Sequence, residues 1–291
     1  MKKMTLLSLG IITFSALALG APAAFAADEI IEAKAESEAT VLFEADDTET
    51  KPPVDPPITG GGEEGEVDEK ETDGNSGDGT ASFNLFVSNF RFNDRADDDG
   101  ENGVEKFTKF KPIKLNGNGM TLWAKGTQLG IKEKDKTTTT IYKDIPNFVQ
   151  VVDNRGKTSG WKLSVTASEF SGENEAGDIV TLKGANLSVN NLNLKGPDGV
   201  TPPMVNELNG VISTTSNILM TADQSTNPEA RQGTGTWSLK FGEEETVNGN
   251  SYGTLKQDTG VKLEIPAGAQ PQAGVPYKSD LTWVLANGPT A

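Results

Sequence analysis

In most of the chain after residue 80, apolar and polar residues alternate in short runs separated by Gly, Asn, Asp and Pro. In "FNLFV", Phe83, Leu85 and Val87 fall on one face, because successive side chains of a strand point to opposite sides. The stretches "WKLSV", "WSLKF" and "VKLEI" repeat this alternation, with Lys, Ser and Glu on the other face. This region shows no sustained helical period of about 3.6 residues. The pattern predicts strands that are buried on one face and solvated on the other, and hence an all-β fold.

The length of this region sets the expected architecture. Residues 81–291 number about 210, which is enough for one large sandwich or barrel. We therefore predict a single antiparallel β-sandwich or barrel-like domain over 81–291.

The stretch before this domain has a different composition. Residues 27–80 contain 18 acidic and 3 basic side chains, a net charge of −15, and are rich in Gly and Pro. Such a sequence buries too little apolar surface to offset the entropy of ordering it. We predict a long, disordered acidic segment. Within it, "ATVLFEA" at 39–45 predicts one strand that could pair with the main domain.

The charge distribution also limits the partners of the domain. The whole chain has a net charge of −16, and residues 81–291 contribute 24 acidic and 21 basic side chains. Nucleic-acid binding requires Lys and Arg to neutralise phosphates. We therefore expect no nucleic-acid partner.

The first 26 residues have the pattern of a secretory signal peptide. Lys2 and Lys3 precede a mostly apolar run over 6–19, and "APAAFA" supplies small residues before an expected cleavage at Ala27. The alternative is a membrane anchor, but the apolar run is short for a bilayer span and is interrupted by Ser and Gly. We expect a secreted mature chain without a membrane span.

The chain contains no Cys and no His. This excludes disulfides, thiolate zinc sites and catalysis that depends on His. Paired carboxylates for glycoside hydrolysis would leave no recognisable motif, so that chemistry is unsupported. We predict that the protein is not an enzyme and has no catalytic, cofactor or metal site.

One acidic turn has the composition of a calcium loop. "NDRADDDGENG", around Asp97, Asp98 and Asp99, aligns on its Gly with the calcium-binding pattern. In that alignment Arg95 and Lys106 occupy positions that require carboxylates. The sequence favours a solvated turn, with calcium as the alternative.

Three of the four tryptophans lie in a Trp-x-Leu triplet, at Trp161, Trp237 and Trp283. Their unequal spacing argues against a repeat array, whose period is fixed. They are either core residues or platforms that stack on the sugars of an envelope polymer. Because each shares a strand face with a Leu, the core interpretation is favoured. Trp123, in "TLWAKG", lacks the triplet and stays open to both interpretations.

A polar hairpin, "VVDNRGKTSGW", leads into the first of these triplets. Asp153, Asn154 and Arg155 in this hairpin could hold the turn by local hydrogen bonds or form a recognition edge. We favour the structural role.

The stretch "YKSDLTWVLANGP" resembles the C-terminal motif of the bacterial WxL domain, Tyr-x-x-x-Leu-Thr-Trp-x-Leu-x-x-x-Pro, at every fixed position. The upstream "VQVVDNRGKTSGWKLSV" is similar to the distal Trp-x-Leu region of that family. We interpret the motif residues as structural, with wall binding as the alternative. They are Trp161, Leu163, Trp237, Leu239, Tyr277, Leu281, Thr282, Trp283, Leu285 and Pro289.

The resemblance implies an exported surface protein of low-GC Gram-positive bacteria that attaches noncovalently to peptidoglycan or an associated wall polymer. Because no C-terminal sorting motif is visible, we expect the WxL domain to provide retention. The alternative implied by the resemblance is a subunit of a surface complex, held at the wall by a WxL-interacting protein.

Overall fold

The computed structural model describes residues 32–45, 65–67, 73–80, 82–93, 111–115, 119–133, 140–155, 159–206, 211–225, 231–242 and 260–288. These residues form strands that we number in chain order. The strands are β1 Glu32–Ala45, β2 Gly65–Val67, β3 Gly74–Ser76, β4 Phe83–Ser88, β5 Phe90–Arg91, β6 Ile113–Leu115, β7 Met120–Trp123, β8 Thr127–Glu133, β9 Thr140–Ile145, β10 Phe148–Asp153, β11 Trp161–Ala167, β12 Ser171–Glu173, β13 Ile179–Thr181, β14 Asn186–Val189, β15 Leu192–Lys195, β16 Met204–Val205, β17 Val211–Ile212, β18 Asn217–Ala222, β19 Gly235–Phe241, β20 Val261–Ile265 and β21 Pro276–Asn287.

The strands assemble into four sheets, and the all-β prediction is confirmed. A nine-stranded sheet has the order β13-β12-β21-β11-β18-β16, with β1, β5 and β6 joined to it through β1. A five-stranded sheet has the order β15-β19-β10-β4-β3, and a four-stranded sheet the order β17-β14-β20-β7. A three-stranded sheet joins β2, β8 and β9. Between described strands, pairing is antiparallel except where β1 runs parallel to β5 and β6.

The N-terminal strand β1 lies in the middle of the domain. It begins at Glu32, seven residues before the predicted strand at 39–45, and pairs with β21 from Glu32 opposite Ala286 to Leu42 opposite Pro276. The other edge of β21 pairs with β11. The last described strand is therefore enclosed between the first strand and a strand from the middle of the chain.

The nine-stranded and five-stranded sheets share a core. The ring of Phe241 on β19 stacks on Trp283 of β21, with centroids 6.4 Å apart, and the ring of Phe90 meets Phe241 edge-on at 5.9 Å. The four-stranded sheet adds Leu187 and Leu263 to the same buried cluster. Along these strands, apolar residues alternate with polar ones. The apolar side chains of the three sheets therefore meet in one common core.

The end of the acidic segment packs against the domain. Strand β3 pairs with β4, and the Asp73 carboxylate accepts hydrogen bonds from Arg91 Nε at 3.2 Å, Arg91 Nη2 at 3.1 Å and Asn89 Nδ2 at 2.9 Å. Arg91 also donates to Glu38 on β1. Strand β2, earlier in the segment, pairs with β8. The acidic segment thus contains ordered strands at 65–67 and 74–76.

Several sequence predictions fall on residues outside the described part of the chain. These are the signal peptide at 1–26, the turn around Asp97, Asp98 and Asp99, the remainder of the acidic segment and Pro289. In the residues that are described, no helix is both long and apolar enough to cross a membrane.

Candidate functional site

Two of the three Trp-x-Leu strands, β11 and β21, are direct neighbours in the nine-stranded sheet. Their antiparallel register places Leu163 opposite Leu285 and Val165 opposite Trp283. Trp161 begins β11 and lies opposite Asn287 at the end of β21. Residues opposite each other share a face, so both motif regions contribute to one buried surface.

Trp283 is fully buried, and its indole is held by the N-terminal strand. Its Nε1 donates a hydrogen bond to Ser37 Oγ at 2.8 Å. Ala35 lies opposite Trp283 across the β1–β21 pair, and Phe241 stacks on the ring. A buried indole N–H needs an acceptor, and Ser37 supplies it.

The indole N–H groups of the other two motif tryptophans both bind backbone carbonyls of one short segment, residues 233–234. Trp161 Nε1 donates to the carbonyl of Gly233 at 3.2 Å, and Trp237 Nε1 donates to the carbonyl of Thr234 at 3.0 Å. Both rings are buried, although they belong to different sheets. The carbonyl groups of consecutive residues therefore satisfy both indoles and link the nine-stranded sheet to the five-stranded one.

Glycine is required where these rings meet the backbone. Gly233 has a φ of +64°, and a Cβ there would lie 2.7 Å from Trp161 Cζ2. The ring of Trp237 covers Gly196 so closely that any Cβ at that position would collide with it. Left-handed backbone and a Cβ-free approach are both properties of glycine.

The remaining motif residues surround these rings. Tyr277 is buried, and its hydroxyl accepts the backbone N–H of Gln272 at 3.0 Å. Thr282 points to the opposite face of β21 and is half-buried. The motif leucines are all completely inaccessible to solvent: Leu163, Leu239, Leu281 and Leu285.

A family model described as "WxL domain surface cell wall-binding" matches residues 31–289. The chain belongs to the WxL domain family. The family carries a wall-binding role rather than an enzymatic one, so the chain is a cell-wall-associated surface protein. No curated protein and no solved structure gives a significant match.

The hairpin predicted before the first WxL triplet is wrong: the segment connects two sheets, because β10 belongs to the five-stranded sheet and β11 to the nine-stranded one. An ion pair holds the start of this connection. Arg155 Nε and Nη2 donate to the two carboxylate oxygens of Asp153 at 2.8 and 3.0 Å, and the guanidinium lies 3.6 Å from the ring centroid of Phe83. The Asn154 backbone N–H donates to the carbonyl of Ser82 at 2.7 Å. These contacts attach the start of the connection to the beginning of β4 and leave the Asn154 side chain exposed.

The fourth tryptophan of this WxL domain has a different environment. Trp123 ends β7, at one edge of the four-stranded sheet, and its side chain is only partly buried. Lys262 lies opposite it on β20, with Nζ 6.0 Å from the ring centroid.

Sequence reasoning missed the residues that contact the motif from elsewhere in the chain. Ser37, Gly233 and Gly196 are small residues in stretches with no recognisable motif. The sequence gives one indication that such contacts exist: the N–H group of each buried indole must have a hydrogen-bond acceptor. Among the described residues, no group of three or more carboxylates is arranged to hold a metal ion.

Proposed function

We propose that this protein attaches noncovalently to peptidoglycan through its WxL domain. The observation that carries the proposal is the match of residues 31–289 to a family of surface cell wall-binding domains. We further propose that the chain is exported by the signal segment at 1–26, which is consistent with a location at the wall.

We assign the Trp-x-Leu motifs a structural role within this function. The three rings are buried, their indole N–H groups are satisfied internally, and their Leu partners have no exposed surface. A ligand could reach them only if β1 or the Gly233 turn moved away. In this proposal the motif builds the domain, and other surfaces contact the wall.

A sedimentation experiment with purified sacculi tests the proposal. The mature chain, residues 27–291, is mixed with sacculi and centrifuged. We expect it in the pellet, together with a known wall-binding protein used as the positive control. If the protein stays in the supernatant across pH and salt while the control sediments, direct peptidoglycan binding is wrong.

A second candidate is a subunit of a surface complex that meets the wall through a protein partner. It is favoured by two edge strands of the nine-stranded sheet that carry exposed apolar residues. Ile179 on β13 is 69% exposed and Met204 on β16 is 49% exposed. An exposed edge can accept a strand from another chain, and apolar side chains beside it add contact area.

The two candidates differ in what retains the protein. A partner-held subunit binds intact cells but neither protease-stripped cells nor bare sacculi. A direct wall binder sediments with all three. The double variant Ile179→Ser, Met204→Ser should lose binding to intact cells only under the partner mechanism.

A further inference from the structure

One aromatic side chain differs from the others in its exposure. Among the aromatic residues whose side chains the structure describes, every Phe, Tyr and Trp is buried except Trp123. Its strand neighbours Met120 and Leu122 pack against the core cluster, whereas Trp123 does not. The fold therefore places one indole where it contributes little to the core and remains accessible to solvent.

Trp123 lies on a polar sheet face whose composition is fixed by strand register. On β20, Val261, Leu263 and Ile265 point into the core, so Lys262 and Glu264 point outward.

The pairing extends this outward face across two further strands, β7 and β14. Lys262 is opposite Trp123 on one side and Ser188 on the other, and Glu264 is opposite Thr121 and Asn186. The result is an indole bordered by hydroxyl, amide, ammonium and carboxylate groups. Ser188 itself is buried, so we call the accessible residues of this set the Trp123 face: Thr121, Trp123, Asn186, Lys262 and Glu264.

The two charges on this face neutralise each other. Lys262 Nζ lies 3.1 Å from Glu264 Oε1, in a partly exposed ion pair. A site for an anionic polymer would present unopposed Lys or Arg, since phosphate binding depends on net positive charge. The Trp123 face fits a neutral ligand that has both an apolar side and hydrogen-bonding groups.

A pyranose ring has these properties. Its axial C–H groups form an apolar face that can lie on an indole ring, and its hydroxyl and N-acetyl groups project from the edge. Glu264 can accept from a hydroxyl, Lys262 can donate to one, and the Asn186 amide can do both. Ligand sites combine aromatic surface with a few placed polar groups in this manner.

We propose that the Trp123 face binds the glycan strand of the wall, with Trp123 stacked on a sugar ring and Glu264, Asn186 and Lys262 hydrogen-bonding its edge. The proposal rests on the proposed function, because it names the surface through which the WxL domain would meet peptidoglycan. It assigns the contact to a residue outside the Trp-x-Leu motif.

The test compares Trp123→Ala with the wild-type protein in two assays. Sedimentation uses sacculi stripped of teichoic acid, and isothermal titration calorimetry measures the binding of peptide-free glycan strands released from sacculi. We expect Trp123→Ala to weaken both interactions about tenfold or more, as for an aromatic anchor at a binding surface. Its thermal midpoint should stay within about 3 °C of the wild type, because the ring is not part of the core. Trp123→Phe should restore part of the binding.

Ile218→Ala serves as the matched control, because Ile218 is an exposed apolar residue on β18 of the nine-stranded sheet. It should bind like the wild type in both assays. If the wild type sediments and Trp123→Ala sediments equally well, the glycan-binding face is wrong and the proposed function stands. If the wild type itself fails to sediment, the proposed function is wrong. Competition by soluble teichoic acid but not by glycan strands would also overturn the assignment, in favour of an anionic ligand.

Discussion

Trp283 Nε1 donates a hydrogen bond to Ser37 Oγ across 246 positions of sequence, at a distance of 2.8 Å. Both residues are buried, so the bond forms away from water. It connects the fixed Trp of the WxL motif to the N-terminal strand β1. The motif therefore depends on a residue that lies far outside it.

Removing the acceptor should destabilise the domain. In Ser37→Ala the indole N–H of Trp283 stays buried without a partner, which costs about 1–3 kcal/mol of the free energy of unfolding. Trp283→Ala should cost about 3–5 kcal/mol, because it deletes a buried ring. Chemical denaturation of each variant measures these values. Glu36→Ala, on the exposed side of β1, is the control and should change little.

A double-mutant cycle isolates the hydrogen bond. Phe has no N–H, so Ser37→Ala should cost much less in a Trp283→Phe background than in the wild type. Equal losses in the two backgrounds would show that Ser37 stabilises the protein by packing rather than by accepting this bond.

A second prediction concerns the turn that seals Trp161. Gly233→Ala should be more destabilising than Gly199→Ala, although both glycines have positive φ values, +64° and +75°. A Cβ at Gly199 meets nothing within 4 Å, whereas one at Gly233 lies 2.7 Å from the Trp161 ring. Gly199→Ala therefore reports backbone strain alone, about 1–2 kcal/mol. Thermal melts of the two variants give the difference, and equal midpoints would contradict a close contact at Trp161.

A third prediction separates two parts of the acidic segment. Asp73→Ala removes the carboxylate that Arg91 and Asn89 bind, and should cost about 1–3 kcal/mol of unfolding free energy. From composition alone we expect Asp55→Ala, in the same segment, to be neutral. Urea titrations of both variants test the contrast. A neutral Asp73→Ala would mean that the hydrogen bonds of the Asp73 carboxylate contribute nothing to the stability of the domain.

The pH dependence of stability should report on Lys240. Burial, together with the nearby charge of Lys195, lowers the pKa of Lys240 to about 8 from its ordinary value of 10.5. Between these two pH values the unfolded chain binds more protons than the folded one, so this residue makes stability rise with pH. Below about pH 8, Lys240 is charged in both states, and the folded state bears the full free-energy cost of burying that charge.

Replacing the amine isolates that effect. Lys240→Met should be more stable than the wild type at pH 7, and the difference should shrink as the pH rises from 8 to 10. Denaturation at several pH values gives the comparison. Lys162→Met, at an exposed position on β11, is the control and should run parallel to the wild type. A constant difference for Lys240→Met across this range would refute the shifted pKa.

The sequence predicted those strands whose inward residues are large and apolar. In β20, Val261, Leu263 and Ile265 alternate with polar residues, and the structure buries all three. Strand β21 follows the same alternation. Large inward side chains produce a period of two that is visible without any knowledge of the partner strands.

The start of β1 could not be predicted in the same way, because its inward residues are small. Ala33, Ala35, Ser37 and Ala39 are buried and alternate with charged residues in "EAKAESEA", but Ala and Ser are too weakly hydrophobic to mark a buried face. Alanine lies opposite Trp283, and Ser37 is required there as an acceptor. The pattern of β1 thus depends on the size and polarity of residues about 240 positions away.

Strand β3 was missed for another reason. "GNS" has no apolar residue, and its pairing with β4 depends on backbone hydrogen bonds and on a close approach at Gly74, where a Cβ would collide with the ring of Phe86. The Asp73–Arg91 contact that accompanies it joins residues 18 positions apart. A prediction from composition counts the negative charge of such a segment, but it cannot identify the cation that pairs with it.

The pairing of β1 with β21 also sets the order of events in biogenesis. Eleven residue pairs of the central sheet require residues 276–286, so a nascent chain cannot complete the domain before that strand has been synthesised. Closing a loop of 246 residues costs about 3 kcal/mol more than closing a short hairpin of about ten. Until then β1 has no partner along that edge, and an unpaired edge invites association between chains. A chain that stalls or is cut before β21 should therefore become a substrate for proteolysis and aggregation, not a smaller working domain.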